Sequence, residues 1–171
     1  REVNILQKCD HPHLLPLLAY HINHDMSCLV FPLMLGGNLA ERLQPRNIDC
    51  ARLQQLGLPG QLKPLRWQER LHVLTQSISA LVYLHTPVLG VKGCVVHRDF
   101  KPENILLDNQ LNAYLADTGF AKMADLEASN KSVSNALYLT TGYLDPLVTK
   151  GGEYSPITDG YAVGITLLVC L

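Results

Sequence analysis

Eight consecutive residues, His97-Arg98-Asp99-Phe100-Lys101-Pro102-Glu103-Asn104, place a carboxylate, two cations and a carboxamide just ahead of the apolar run Ile105-Leu106-Leu107. Phosphoryl transfer draws on that inventory. A carboxylate orients the acceptor hydroxyl, a cation meets the phosphate charge, and side-chain oxygens complete a magnesium shell. A second carboxylate, Asp117, stands eighteen residues beyond Asp99 in Tyr114-Leu115-Ala116-Asp117-Thr118-Gly119. Between the two, Asn104 to Leu107 and Ala113 to Ala116 read as short strands joined by the turn-forming Asp108-Asn109-Gln110. A hairpin there brings both carboxylates to one edge.

Other elements must carry this loop. Trp67 to His85 has Leu71, Leu74, Ile78, Leu81 and Leu84 at three- and four-residue intervals, which predicts a helix with that stripe in the core. Arg1 to Leu6 shows apolar residues at helical spacing, and His11 to Leu18 reads as a turn followed by a strand. Gln44 to Arg66 contains Pro45, Pro59, Gly60 and Pro64 with no sustained period, so it reads as an enlarged surface loop. The 171 residues carry a net charge of −1 and are 47% hydrophobic, a balance that points neither to nucleic-acid binding nor to disorder. Five irregularly spaced cysteines fit no disulfide framework or zinc pattern and suit a reducing, cytoplasmic setting. The apolar run ending at Leu171 is too short for a bilayer span, which takes about twenty residues.

His-Arg-Asp, with Lys101 two residues and Asn104 five residues after Asp99, resembles the protein-kinase catalytic loop, and the interval to Asp117 is that family's interval to its D-F-G aspartate. The resemblance covers essentially the whole chain. It implies an α+β, bilobal protein-kinase-like fold in truncated form, from helix C to the start of helix F. Residues 1–31 then remain of the N-lobe, 32–38 form the hinge, and 39–171 belong to the C-lobe with an activation segment at 117–147. Glu2 matches the glutamate that ion-pairs with the phosphate-binding lysine. Phe31 matches the gatekeeper, and Leu33 and Met34 would present backbone groups to adenine. Asp99 matches the proton acceptor, Lys101 the cation on the transferring phosphate, and Asn104 and Asp117 the magnesium ligands. His97 and Arg98 complete the loop motif, and Asp159 matches the aspartate that anchors its backbone.

The stretch Leu139-Thr140-Thr141-Gly142-Tyr143-Leu144-Asp145-Pro146 resembles the G-T-x-G-Y-L-D-P-E segment of plant receptor-like kinases, Pelle and the interleukin-receptor-associated kinases. Lys101 and Thr140 are placed as in serine/threonine kinases. Ser129, Ser132 and Ser134 are candidate phosphosites whose phosphate would pair with Arg98. The function implied is an ATP- and Mg2+-dependent serine/threonine protein kinase acting on a protein substrate, with an upstream activating kinase as a further partner.

Two departures stand against this pattern. Thr118 replaces the D-F-G phenylalanine, giving a smaller side chain whose hydroxyl needs a partner, and Leu147 replaces a glutamate that would pair with an arginine. These changes favour an alternative, a pseudokinase that binds nucleotide or partners and signals by conformation. The segment opens inside a helix and stops in an apolar run, so it reads as an internal piece of a kinase domain. Its cut edges predict marginal stability in isolation.

Overall fold

A computed structural model describes residues 2–46, 51, 54–55, 63–124, 140 and 142–171. In chain order the elements are α1 (Glu2–Leu6), β1 (Ala19–Ile22), β2 (Ser27–Val30), β3 (Gly37–Asn38), α2 (Leu39–Leu43), α3 (Trp67–His85), β4 (Cys94–Val96), β5 (Ile105–Leu107), β6 (Ala113–Leu115), β7 (Lys122–Ala124), α4 (Pro146–Thr149) and α5 (Pro156–Cys170). Single 3-10 turns lie at Pro102–Asn104 and Thr118–Phe120. The mixed helix and sheet content agrees with the α+β expectation.

Local chemistry sets where the helices begin. Asn38 accepts the Glu41 N–H at 2.9 Å while the Glu41 carboxylate accepts the Asn38 N–H at 3.0 Å, a reciprocal cap that starts α2. At α3 the Glu69 carboxylate accepts the Arg66 N–H at 2.7 Å. Pro156 opens α5, where its missing N–H costs nothing. The end of α3 is held differently. The ammonium of Lys92, nearly buried, donates to the carbonyls of Tyr83, Leu84 and Thr86, satisfying acceptors that a helix terminus leaves open.

The strands build the platform under the loop. β5 pairs antiparallel with β6, with Ile105 opposite Leu115, and β3 joins the other edge of β5. β4 and β7 form a separate antiparallel pair. Gly36 packs so close to the Leu107–Asp108 backbone that a Cβ would meet Leu107 Cβ at 2.8 Å, and Gly37 has φ +76. Each glycine is needed, for a different reason. Leu84, Ile105, Leu107, Leu115 and Phe100 are fully buried, and each such aliphatic contributes about 1.5–3 kcal/mol.

Several boundaries differ from the sequence reading. His11 to Leu18 forms no strand; Leu14 makes a single bridge to Leu115, Leu15 N–H bonds Leu115 O at 2.9 Å, and the strand begins at Ala19. The apolar residues there are buried by crossing β6 once rather than by running along it. Along α3, Leu71 is 45% exposed and Ile78 half-buried, while Val73, Ser77, Ala80 and Leu84 line the inner face. Asn104 closes the 3-10 turn, so β5 starts at Ile105, and β6 ends at Leu115, one residue short of Ala116. Ala51, Gln54 and Gln55 are helical, so Gln44 to Arg66 is not wholly irregular. Among the described residues no helix is long and apolar enough to cross a membrane.

Candidate active site

The backbone of the His97–Asn104 loop is fastened from α5. The Asp159 carboxylate, 1% exposed, accepts the His97 N–H through Oδ2 and the Arg98 N–H through Oδ1, both at 2.8 Å. His85, the last residue of α3, contacts Oδ2 through Nε2 at 2.7 Å. One carboxylate thus ties two helices to the loop. Arg98 has φ +74, a left-handed conformation that L side chains resist, and such a turn persists only when its surroundings hold it. His97 is fully buried. Its Nε2 faces the Ala116 carbonyl at 3.0 Å and therefore carries the proton, while Nδ1 accepts the Asp99 N–H at 3.3 Å. Burial pushes the His97 pKa down, in keeping with that neutral tautomer.

Inside this frame Asp99 is nearly buried and its two oxygens have separate partners. Lys101 Nζ donates to Oδ2 at 2.6 Å and Asn104 Nδ2 donates to the same oxygen at 2.9 Å. The Thr140 hydroxyl donates to Oδ1 at 3.0 Å and accepts from Lys101 Nζ at 2.5 Å. Asn104 Nδ2 also reaches the Asp99 carbonyl at 2.8 Å, so its amide nitrogen is committed and its oxygen is the atom left to act as ligand. Oδ1 of Asp99, with one donor among the described residues, keeps a lone pair for a further hydroxyl.

Asp117 lies at the same edge. The Ala116 N–H bonds the Asn104 backbone carbonyl at 2.9 Å, so Asp117 directly follows the residue held against Asn104. Asp117 is exposed and left-handed, with φ +60, and among the described residues its Oδ1 accepts the Gly119 N–H, at 3.3 Å. A carboxylate oxygen and an amide oxygen are the hard donors that Mg2+ takes, in a number low enough to leave places for phosphates and water. The donor set fits. Glu2, at the start of α1, faces the 118–119 turn, with its Oε2 at 3.5 Å from where a Gly119 Cβ would stand. Its pKa is raised by burial first and by Asp117 second, and eased by the Thr118 hydroxyl. That hydroxyl is buried and, among the described residues, makes no hydrogen bond of ordinary geometry, though it acts on the Glu2 carboxylate.

The remaining sequence-predicted residues divide. Phe31 and Met34 are half-buried and Leu33 is 66% exposed after β2, in a connection where the Met34 carbonyl accepts the Gly37 N–H at 3.3 Å. Ser129, Ser132 and Ser134 lie outside the described residues. Leu147 is 66% exposed in α4. The histidines and cysteines near the start of the chain form no metal-holding group among the described residues. Sequence reasoning missed His85, Phe100 and Tyr154. Their roles arise across 74 residues for His85 and through burial for Phe100, and no local pattern announces either. Tyr154 places its ring 3.9 Å from the Arg98 guanidinium carbon.

A family profile described as "Protein kinase domain" matches residues 1–171. The "Nodulation receptor kinase" of Pisum sativum is 38% identical over 98% of this chain and 16% of its own length. "U-box domain-containing protein 51" of Arabidopsis thaliana is 38% identical over 98% of the chain and 20% of its own length. The "Probable serine/threonine-protein kinase PBL28" of Arabidopsis thaliana is 34% identical over 99% of the chain and 41% of its own length. The chain therefore spans well under half of each of these relatives.

Proposed function

This chain belongs to the protein kinase domain family, and we propose that the protein carrying it transfers the ATP γ-phosphoryl group to serine or threonine hydroxyls of a protein substrate in signalling. The observation that supports this most directly is the Asp99 carboxylate, gripped by Thr140, Lys101 and Asn104 at 3.0 Å or less in a loop whose backbone Asp159 fastens. In this reading Oδ1 of Asp99 accepts the hydrogen bond of the acceptor hydroxyl, orients it for in-line attack, and takes its proton as the new P–O bond forms, the bond from the γ-phosphorus to the bridging oxygen breaks and ADP leaves. Lys101, already beside Asp99 and Thr140, meets the charge on the transferring phosphoryl. Asn104 through its oxygen and Asp117 through its carboxylate would hold Mg2+, which neutralises phosphate charge when bound. Glu2 would position a strand lysine, and Phe31, Leu33 and Met34 would border the adenine, with residues 32–38 as the hinge and 117–147 as the activation segment.

Serine/threonine selectivity rests on Lys101 and Thr140, which bond each other beside Asp99. Phosphorylation of Ser129, Ser132 or Ser134 by an upstream kinase belongs to the same reading. In the full-length protein, Asp99→Asn abolishes Mg2+-dependent phosphorylation while nucleotide binding stays near the wild-type level; unchanged transfer would refute the assignment. A second reading, a signalling pseudokinase, is favoured by Thr118, whose buried hydroxyl lacks a well-formed hydrogen bond among the described residues. Nucleotide binding with no transfer by the wild-type protein, in the presence of Mg2+, decides for it.

A further inference from the structure

Two of the supports of the turn that presents Asp99 come from one place. Its backbone N–H groups at His97 and Arg98 end on Asp159, in the first turn of α5. On the side-chain side, Arg98 meets Tyr154, immediately before the Ser155 that caps α5. The guanidinium carbon of Arg98 lies 3.9 Å from the Tyr154 ring centroid, close enough for the ring's electron-rich face to attract the cation. The Tyr154 hydroxyl is buried and bonds to nothing among the described residues. A buried tyrosine usually finds a partner for its O–H, so at this position the fold uses the ring. Arg98 needs such support, because its backbone sits at φ +74. Arg98, Asp99, Thr140 and Tyr154 line the same small cleft.

We propose that Tyr154 is a positioning residue for phosphoryl transfer: its ring fixes the Arg98 side chain, and through it the left-handed turn from which the Asp99 carboxylate projects. The kinetic consequence rests on the kinase reading given above. The positional claim does not, since it is read without catalysis.

The experiment is hydrogen exchange followed by mass spectrometry on the full-length protein, comparing wild type with Tyr154→Leu, the milder Tyr154→Met and the ring-preserving Tyr154→Phe. Loss of the ring accelerates exchange at His97 to Asp99 by about tenfold in the leucine and methionine variants, whereas the α3 amides from Val73 to Leu84 keep their protection. Tyr154→Phe exchanges like wild type. In the phosphorylation assay the same two variants lose about tenfold in kcat, the scale of one such interaction, with KM for ATP unchanged. Unaltered exchange at residues 97–99, equal acceleration throughout α3, or a phenylalanine variant that behaves like leucine would each overturn the proposal, as would a loosened loop with wild-type kcat. A wild-type protein without transferase activity sinks the kinase reading alone, and the exchange pattern still decides the role of Tyr154.

Discussion

Asp159→Asn substitutes an NH2 group for one carboxylate oxygen at a point where three donors converge. Oδ2 accepts His97 N–H at 2.8 Å and meets His85 Nε2 at 2.7 Å, and Oδ1 accepts Arg98 N–H at 2.8 Å. The amide can turn either way. With its oxygen in the Oδ2 position it keeps two partners and sets NH2 against the Arg98 N–H; the reverse orientation loses two bonds. The better orientation therefore still forfeits one hydrogen bond to a charged acceptor and strands a buried N–H, together about 2–3 kcal/mol. At about 1.4 kcal/mol per decade this is roughly 30- to 150-fold faster opening of the loop. Hydrogen exchange at His97 and Arg98 reads that opening directly, and Asp159→Ala, which removes all three contacts, must exceed it. Acceleration of less than about threefold at both amides, below the smallest single bond of this kind, would refute the claim that the carboxylate fastens the loop.

Thr140→Val keeps the shape of the side chain but removes the hydroxyl between Asp99 and Lys101, and lowers kcat by about tenfold or more, while Thr140→Ser stays near wild type; a valine variant with normal kcat would contradict the geometry. Gly36→Ala drives a Cβ into the Leu107–Asp108 backbone and costs about 1–3 kcal/mol of stability, measurable as a lowered thermal midpoint. Acid also loosens the fold. Burial depresses the His97 pKa below 6.5 in the folded state, so the unfolded chain binds the extra proton first. The stability held above about pH 6.5 is then lost as the pH falls through that value, at up to about 1.4 kcal/mol per pH unit for one proton. His11, depressed by burial as well, adds to the same limb. His97→Leu flattens the limb, and an unchanged slope in stability against pH would show that His97 does not titrate there.

The parts of the site legible in the sequence are those encoded at short range. His97 to Asn104, the hairpin that returns the chain to Asp117, and the extent of α3 all follow from residue order and spacing, and each stands close to where that order puts it. What stayed hidden depends on partners far along the chain. Nothing about Lys92 in Gly90-Val91-Lys92-Gly93 announces that its ammonium closes the end of α3, and nothing about Tyr154 announces an arginine on its ring. In the apolar stripe of α3, Leu74, Leu81 and Leu84 are buried as their spacing predicts, and Leu71 departs for a similar reason. Leucines at helical intervals mark a face, but the face that β4 and β6 cover includes Ser77 and Ala80 and leaves Leu71 in water. At Leu14 and Leu15 burial is real, yet it comes from a single crossing of Leu115, which hydrophobicity cannot distinguish from a strand.

The distance along the chain between the loop and its fastening has a consequence during synthesis. Asp159 follows His97 by 62 residues. At about 5–20 residues per second, a ribosome needs roughly 3–12 seconds to make that interval. Until Asp159 emerges, the segment that holds the chemistry has no counterpart for its two amides, and Arg98 has no reason to adopt its left-handed turn. The chemistry-bearing residues are thus translated first and acquire their shape last, so the nascent chain passes through an interval in which the loop is present but not yet organised.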